Sequence, residues 1–294
     1  MTGTSVRDAM AAGDASDPAA AGHFTTMQLR GGRAQGRDLH IARLVAASHA
    51  LYGVVPDADA LCANVRKALA DASMEAGDCT LRIRIRADTG GSDDSLDRAD
   101  IRSSGHGRDG RPWMPIATVA LAMGSRAGLL ESGIDIEARR HPPAHPLYLR
   151  THAGIRACPG IKHLALESQL EARRAARDAG FDDALLVTAD GCVAEGTFWN
   201  IVLADGGGLV WPEGPALHGV TQQLLQGIPG APGGLPGRRE PVHAAALERF
   251  IAAWALNSTG IQDIASIDGH RFGSDEGSGE ALRGRLAAAP WEPF

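Results

Sequence analysis

The spacing of apolar positions changes several times along this chain, and each change marks an element. Phe24–Arg30 and Arg33–Asp38 are short mixed runs around Gly31-Gly32, the pattern of two strands joined by a turn. Leu39, Leu44, Val45 and Leu51 then follow helical spacing, with Asp38 placed as the N-cap, and Leu61, Val65 and Leu69 repeat that spacing over Asp57–Ala72. Thr80–Ala87 alternates strictly, with Leu81, Ile83 and Ile85 on one face and arginines on the other, which predicts a strand with one solvated face. Pro115–Ala122 and Gly133–Ala138 read as further strands. In the second half, Leu164–Ala179 predicts a helix closed by Gly180. Strands follow at Asp183–Thr188, Cys192–Glu195, Asn200–Leu203 and Leu209–Trp211, with turns at Asp190-Gly191 and Gly206–Gly208. Val220–Gln226 and Val242–Phe250 read as helices, Pro229–Gly237 as a loop, Ile251–Leu256 as a buried strand, and Gly269 as the turn of a last hairpin. Helices and strands mixed in this order give an α+β chain in two lobes.

Segments without such patterning set the boundaries. Residues 1–20 carry no basic stretch followed by an apolar one, so they read as a flexible leader and not a secretion signal. Residues 88–111 are rich in Gly, Ser, Asp and Arg and read as a mobile insertion. Inside it, Gly105-His106-Gly107-Arg108-Asp109-Gly110 matches GxGxxG, but no strand leads into it and Pro112 follows, so the context of a dinucleotide fingerprint is missing. His141–Pro146 is a Pro-rich linker whose prolines keep His141 and His145 from sharing a helix face as metal ligands. The expected organisation is a leader (1–20), an N-terminal α/β domain (21–146) and a C-terminal domain (147–294).

The formal charge of −6 gives no reason to expect nucleic acid or an anionic membrane as partner. No apolar run reaches the ~20 residues of a membrane-spanning helix. Four cysteines form no CxxC pair, so no metal ligands are assigned, and free thiols in a reducing cytoplasm are expected. The lysines change the picture more. There are only two, Lys67 and Lys162, in a chain whose other basic side chains are arginines. A lysine kept in such a background can be there for its amine, because a guanidinium cannot form an imine at neutral pH. Lys67 sits on the polar face of a predicted helix. Lys162 sits in Gly160-Ile161-Lys162-His163, between the linker and a helix.

Three other pieces suit the same chemistry. Asp190-Gly191-Cys192-Val193-Ala194-Glu195-Gly196-Thr197-Phe198-Trp199-Asn200-Ile201 ends one strand on a carboxylate and opens the next with Asn200. Leu217-His218-Gly219-Val220-Thr221 places a glycine ahead of the N–H groups of a helix start, and Asn257-Ser258-Thr259-Gly260 is a hydroxyl-rich turn. Pyridoxal phosphate requires an amine for its aldehyde, a carboxylate to keep its ring nitrogen protonated, and N–H and hydroxyl donors for its phosphate. Lys162, Glu195, Val220–Thr221 and Ser258–Thr259 supply these in turn. Each piece alone also has an ordinary reading as a turn carboxylate, a helix cap or turn hydroxyls.

Together, and in this order, the motifs resemble the fold-type IV, class IV aminotransferase family, which includes branched-chain and D-amino-acid aminotransferases and aminodeoxychorismate lyase. Lys162 precedes Glu195 by 33 positions, and the E-G-T-F-W-N-I and L-H-G-V-T strings fit the family pattern. Upstream, Leu39-His40-Ile41-Ala42-Arg43-Leu44 is similar to its H-x-x-R-L helix, which implies that Arg43 clamps the phosphate. The resemblance covers about Phe24 to Asp268. It implies a smaller N-terminal α/β domain, a larger C-terminal domain with the cofactor in the cleft between them, and a homodimer. It also implies a small amino acid and a 2-oxo acid as substrates, with backbone N–H groups at Gly260 and Ile261 toward the substrate carboxylate. Arg30, Arg82, Arg84 and Arg86 are further candidate anion ligands. Three departures concern the substrate: Leu166 and Glu167 stand where many members have Asn-Tyr or Asn-Arg, Gln222 stands where an arginine often follows G-[VI]-T, and the helix after it is short. Transamination, a lyase reaction like that of aminodeoxychorismate lyase, and a non-catalytic cofactor binder all stay open at this point. GxSxG, HExxH and P-loop motifs are absent.

Overall fold

The computed structural model describes residues 17–87, 117–125, 128–138, 140–141, 145–227 and 234–294. Most of the leader, the whole 88–111 insertion with its GxGxxG string, the first residues of the strand expected from Pro115, and much of the Pro229–Gly237 loop lie outside the described residues. The fold is α+β, as the patterning indicates, and it divides into two compact units. One holds the described residues up to Arg140 together with Lys162–Ala165 and Trp291–Phe294; the other holds His141–Ile161 and Leu166–Pro290. The sequence reading draws one boundary at 146/147, whereas two later segments return to the first unit because each pairs with a strand there.

The first unit is an antiparallel sheet covered by two long helices, with a four-residue helical turn, Pro18–Ala21, at the end of the expected leader. Its strands are β1 (His23–Arg30), β2 (Arg33–Gln35), β3 (Cys79–Ala87), β4 (Ala117–Ser125) and β5 (Gly128–Ala138). Among the described residues the order is Trp291–Pro293, β2, β1, β3, β5, β4. Helices α1 (Arg37–Tyr52) and α2 (Ala58–Asp71) pack Ile41, Leu44, Leu61, Val65 and Leu69 against Met27, Leu29, Leu81, Ile83, Ile85, Ile134 and Ile136. Asp57 caps α2 by accepting from Asp59 N–H (2.8 Å) and Ala60 N–H (3.1 Å). The cap expected for α1 is corrected: α1 starts two residues earlier than Leu39, after a left-handed Gly36 (φ +64°), so Asp38 lies in its first turn. The strand expected over Arg33–Asp38 accordingly stops at Gln35.

The solvated face expected for β3 is also corrected. Arg82 and Arg84 are each 6 % exposed, because β5 sets carboxylates beside them. Arg84 makes two contacts of 3.0 Å to Asp135, and Arg82 Nη1 lies 3.8 Å from Glu137. Both faces of the strand are therefore buried, one by apolar packing and one by ion pairs.

The second unit is built on a mixed sheet: β6 (Leu147–Ala153), β7 (Asp183–Val187), β8 (Val193–Gly196), β9 (Asn200–Asp205), β10 (Gly208–Pro212), β11 (Gly237–Glu240), β12 (Ala252–Asn257), β13 (Gly260–Ile267) and β14 (His270–Arg271). Their order is β11, β10, β9, β12, β13, β6, β7, β8, with β14 paired to β13. Helices α3 (Glu167–Asp178), α4 (Val220–Gln226) and α5 (Glu276–Ala288) complete it. The centre of the sheet is buried on both faces. Ile201, Leu203, Ala253 and Ala255 join one apolar cluster, while Val202, Ala204, Trp254 and Leu256 join another with Trp211, Leu225 and Leu282. Asp268 (φ +48°) and Gly269 (φ +85°) make the tight hairpin turn between β13 and β14. The helix expected at Val242–Phe250 is a shorter 3₁₀ turn, Ala244–Arg249. Helix α3 starts at Glu167 and not Leu164, because Leu164 N–H donates to the Gly22 carbonyl in the first unit's sheet region (2.8 Å).

Candidate functional site

The two lysines sit in different settings. Lys67 is exposed on α2 and pairs with Asp71 one turn on, Nζ to Oδ2 at 2.6 Å, an ordinary surface pair. Lys162 is fixed through its backbone. Phe24 N–H donates to the Lys162 carbonyl (2.9 Å), and His163 bridges to His23, so this segment runs antiparallel to the start of β1. The Lys162 ammonium stands 4.7 Å from the centroid of the Phe24 ring, a cation–π contact.

Arg43 lies in the same unit. One of its Nη2 protons goes to Thr25 Oγ1, and Nη2 lies 3.2 Å from His40 Nδ1, itself 2.6 Å from Thr25 Oγ1. A guanidinium only donates, so His40 Nδ1 is an acceptor and the Thr25 hydroxyl donates to it. His40 is thus a neutral ring with its proton on Nε2. Burial, then the charges of Arg43 and Lys162, hold its pKa well below the ordinary histidine range. His40 and Arg43 are three positions apart, on one face of α1, which is what the H-x-x-R spacing achieves. His23, buried and 2.9 Å from Ser48 Oγ, is brought down to about 4 by burial and by Arg43. The strand arginines Arg82 and Arg84 are committed to carboxylates, which removes them as open anion ligands, while the exposed Arg30 stacks 5.0 Å from the Trp291 ring.

In the second unit, Glu195 is 2 % exposed near the end of β8. Its Oε1 accepts from Arg156 Nε at 3.0 Å and its Oε2 from Leu217 N–H at 3.3 Å. Arg156 is itself 1 % exposed, so two charges removed from water neutralise each other. Sequence reasoning missed Arg156. Its signal is a single charge in the otherwise uncharged stretch 151–161, six residues ahead of Lys162.

The residues after Glu195 build the scaffold. A Cβ at Gly196 would lie 1.9 Å from the Trp199 ring, so only glycine lets the strand turn over that indole. Thr197 Oγ1 and Trp199 Nε1 donate to the two oxygens of Asp183, at 2.7 and 3.1 Å, and Arg173 on α3 clamps the same carboxylate at 2.6 and 3.2 Å. Asn200 donates from Nδ2 to the Leu217 carbonyl (2.7 Å). Gly219 closes onto this amide: a Cβ there would sit 2.0 Å from Asn200 Oδ1.

Gly219 starts α4 without any side-chain cap. The N–H groups of Val220, Thr221 and Gln222 therefore lack helical acceptors, as in any first turn. Thr221 Oγ1 donates to the Asn257 carbonyl (2.7 Å), tying the helix start to the β12–β13 turn. Asn257 Oδ1 accepts both from Thr259 N–H (2.8 Å) and from its hydroxyl (2.7 Å). Thr259 thus holds the turn, and the Ser258 hydroxyl is hydrogen-bonded to none of the described residues. Gly260 takes φ +136°, and the Ile261 side chain is buried with the apolar cluster.

Each unit therefore gathers part of the residues expected from the sequence. The second brings together Glu195, the Leu217–Thr221 segment and Asn257–Thr259; the first sets Arg43 and Lys162 around His40. Chemically, the first offers an amine and a guanidinium, and the second a buried carboxylate and a cluster of unsatisfied donors.

A family model, "Amino-transferase class IV", matches residues 22–267. Among solved structures, the chain is similar to a hypothetical aminotransferase from Mycobacterium tuberculosis in its PLP-bound form, at 20% identity over 91% of this chain and 88% of that one (TM-score 0.65). It is similar to the branched-chain amino acid aminotransferase of Escherichia coli at 14% identity over 92% and 86% (TM-score 0.67). It is equally similar in fold to a provisionally named 4-amino-4-deoxychorismate lyase from Legionella pneumophila, at 17% identity over 92% of each chain (TM-score 0.67). No curated protein sequence matches the chain at significance. Among the described residues, no helix is long and apolar enough to cross a membrane.

Proposed function

The chain belongs to the class IV amino-transferase family, and on that premise we propose that it is a pyridoxal 5′-phosphate enzyme that moves an amino group between a small amino acid and a 2-oxo acid. The observation that carries this reading is Lys162. Of the two lysines in the chain, it is the one tied by backbone hydrogen bonding to a core strand, while Lys67 is a surface pair.

The donor set fits the cofactor. Glu195 keeps acceptor capacity on both oxygens beyond its bonds to Arg156 and Leu217, which suits the N–H of a protonated pyridine ring. The phosphate would be held by Arg43, by the backbone N–H groups of Val220 and Thr221, and by the Ser258 hydroxyl. Thr221 contributes its N–H and not its hydroxyl, whose proton is committed to Asn257, and Thr259 contributes by shaping the turn. Gly260 and Ile261 are the backbone positions assigned to the substrate carboxylate. When bound, the cofactor supplies an electron sink for charge developing on the substrate's α-carbon. In its uncharged form, Lys162 Nζ would take the α-proton and later return it, acting as general base and then general acid. His40 and Thr25 hold the Arg43 guanidinium in one orientation, which would spare it a search through rotamers when the phosphate binds. The reading includes a homodimer in the cytoplasm; light scattering of the purified protein tests the first part.

A half-reaction tests the whole. Holoenzyme is mixed with a panel of L- and D-amino acids without any 2-oxo acid. About one equivalent of keto acid per active site, with the cofactor left as pyridoxamine 5′-phosphate, is the expected result. Adding a 2-oxo acid should then restore the starting spectrum. Failure of every amino donor would overturn transamination, and pyruvate release from aminodeoxychorismate without an amino acceptor would select the lyase.

A further inference from the structure

One cluster of metal-ligating side chains stands apart from the residues proposed to hold the cofactor and the substrate. Among the described residues, Asp190, Cys192 and His243 are the group of three whose ligand atoms lie within 4.8 Å of one another. Cys192 Sγ is 3.4 Å from His243 Nε2 and 3.9 Å from Asp190 Oδ2. Zinc bonds of about 2.3 Å to sulfur and about 2.0 Å to nitrogen or oxygen give a tetrahedral S···N separation of roughly 3.5 Å. The 3.4 Å S···N spacing matches that figure, and the 3.9 Å S···O spacing is slightly longer, so Asp190 would close on a zinc-sized ion by turning its side chain.

The scaffold that presents these atoms is rigid. Asp190 and Cys192 flank Gly191, whose φ of +85° makes the turn between β7 and β8. Cys192 pairs with His243 in an antiparallel bridge. On either side, Ala244 N–H donates to the Gly191 carbonyl (2.9 Å) and Val193 N–H to the Val242 carbonyl (2.8 Å). Gly191 also leaves room for the imidazole, since a Cβ there would stand 3.4 Å from His243 Nδ1. Asp190 is oriented from behind: the Thr188 hydroxyl donates to its Oδ1, leaving Oδ2 toward the thiol, and the same hydroxyl oxygen accepts Cys192 N–H at 2.9 Å. An outer partner that fixes a ligating carboxylate is a feature of built metal sites. Asp190 and His243 are exposed, so an ion can enter and a water can complete its coordination.

We infer that Asp190, Cys192 and His243 form a divalent transition-metal site, with Zn²⁺ the ion favoured by one thiolate, one imidazole and one carboxylate. Binding displaces the Cys192 thiol proton to solvent and ties the β7–β8 turn to the chain entering the 3₁₀ turn. A cation with purely oxygen-seeking chemistry, such as Mg²⁺ or Ca²⁺, does not suit a sulfur donor. The inference does not depend on the transaminase reading.

The test uses untagged holoenzyme equilibrated with Zn²⁺, desalted and analysed for metal. One zinc per chain is expected in the wild type and in Cys158→Ser, and none in Cys192→Ser. Thr188→Val should weaken binding at least about tenfold against a chelating dye. Co²⁺ substitution should give the red-region d–d bands of a low-coordinate thiolate centre, away from pyridoxal absorption, and Cys192→Ser should lose them. Cys192→Ser keeps the fold if its melting without added metal matches the wild type, and a variant that fails this is replaced by His243→Asn. No retained zinc in the wild type, or equal retention in a folded Cys192→Ser or His243→Asn variant, would overturn the site.

Discussion

Replacing Arg156 by methionine probes the second unit's buried charge pair most sharply. Methionine keeps most of the side-chain volume but removes the charge and the Nε donor, so Glu195 is left with the Leu217 N–H as its remaining partner of the two. Both members of the pair are at most 2 % exposed, so water cannot replace the lost guanidinium. An uncompensated charge in such a place costs about 3–5 kcal/mol. In a unit of this size each kcal/mol moves Tm by about 2–4 °C, so the second unit should melt roughly 6–20 °C lower. The double variant Arg156→Met/Glu195→Leu should recover most of that loss, because an apolar pair leaves no charge to desolvate. The assay is calorimetry at neutral pH on wild type, both single variants and the double variant, all in the cofactor-free state, since a bound cofactor would itself partner Glu195 and shifts Tm by mass action. Arg156→Met melting within about 2 °C of wild type, or a double variant worse than the sum of the singles, would refute the reasoning.

Two further predictions follow from the geometry. His23 is held near 4, so between pH 6.5 and about 4 the unfolded chain binds a proton that the folded first unit does not. Its contribution is fully present above pH 6.5 and is lost as pH falls toward 4, by about 3 kcal/mol at about 1.4 kcal/mol per unit. Urea denaturation across that range should show the loss, and His23→Gln should reduce the slope; an unchanged slope would contradict the assignment. Gly219→Ala places a Cβ on Asn200 Oδ1 and should break the bond from Asn200 to the Leu217 carbonyl. The expected cost is about 1–3 kcal/mol of stability, with a clear rise in the Kd for pyridoxal phosphate by equilibrium dialysis; an unchanged Kd would remove Gly219 from the cofactor's surroundings.

What was legible in the sequence was local. The periodicity located α2, the start of the helix at Val220, and the strands that flank Glu195. Alternation in β3 assigned side chains to faces correctly but could not say what covers each face; Asp135 and Glu137, more than fifty positions away, decide that. Strand β6 was missed because it lies behind a Pro-rich run and is specified by parallel partners on both sides, β13 and β7. Helix α5 was missed because Gly277, Gly279 and Gly284 lower its helical propensity, and packing of Leu282 into the core supplies what propensity does not. At the candidate site, the string of motifs gave Lys162, Glu195 and Thr221, but not Arg156, whose role exists through a tertiary contact. The string also overstated the hydroxyl donors: Thr221 and Thr259 both direct theirs at Asn257, a pairing that no sequence spacing reveals.

The measurement that bears most directly on the central claim is the location of the covalent cofactor link. Holoenzyme would be reduced with borohydride, digested and mapped by mass spectrometry. A phosphopyridoxyl adduct on the peptide carrying Lys162, with Lys67 unmodified, is the predicted result. An adduct confined to Lys67, or no adduct on a protein that has bound the cofactor, would contradict it.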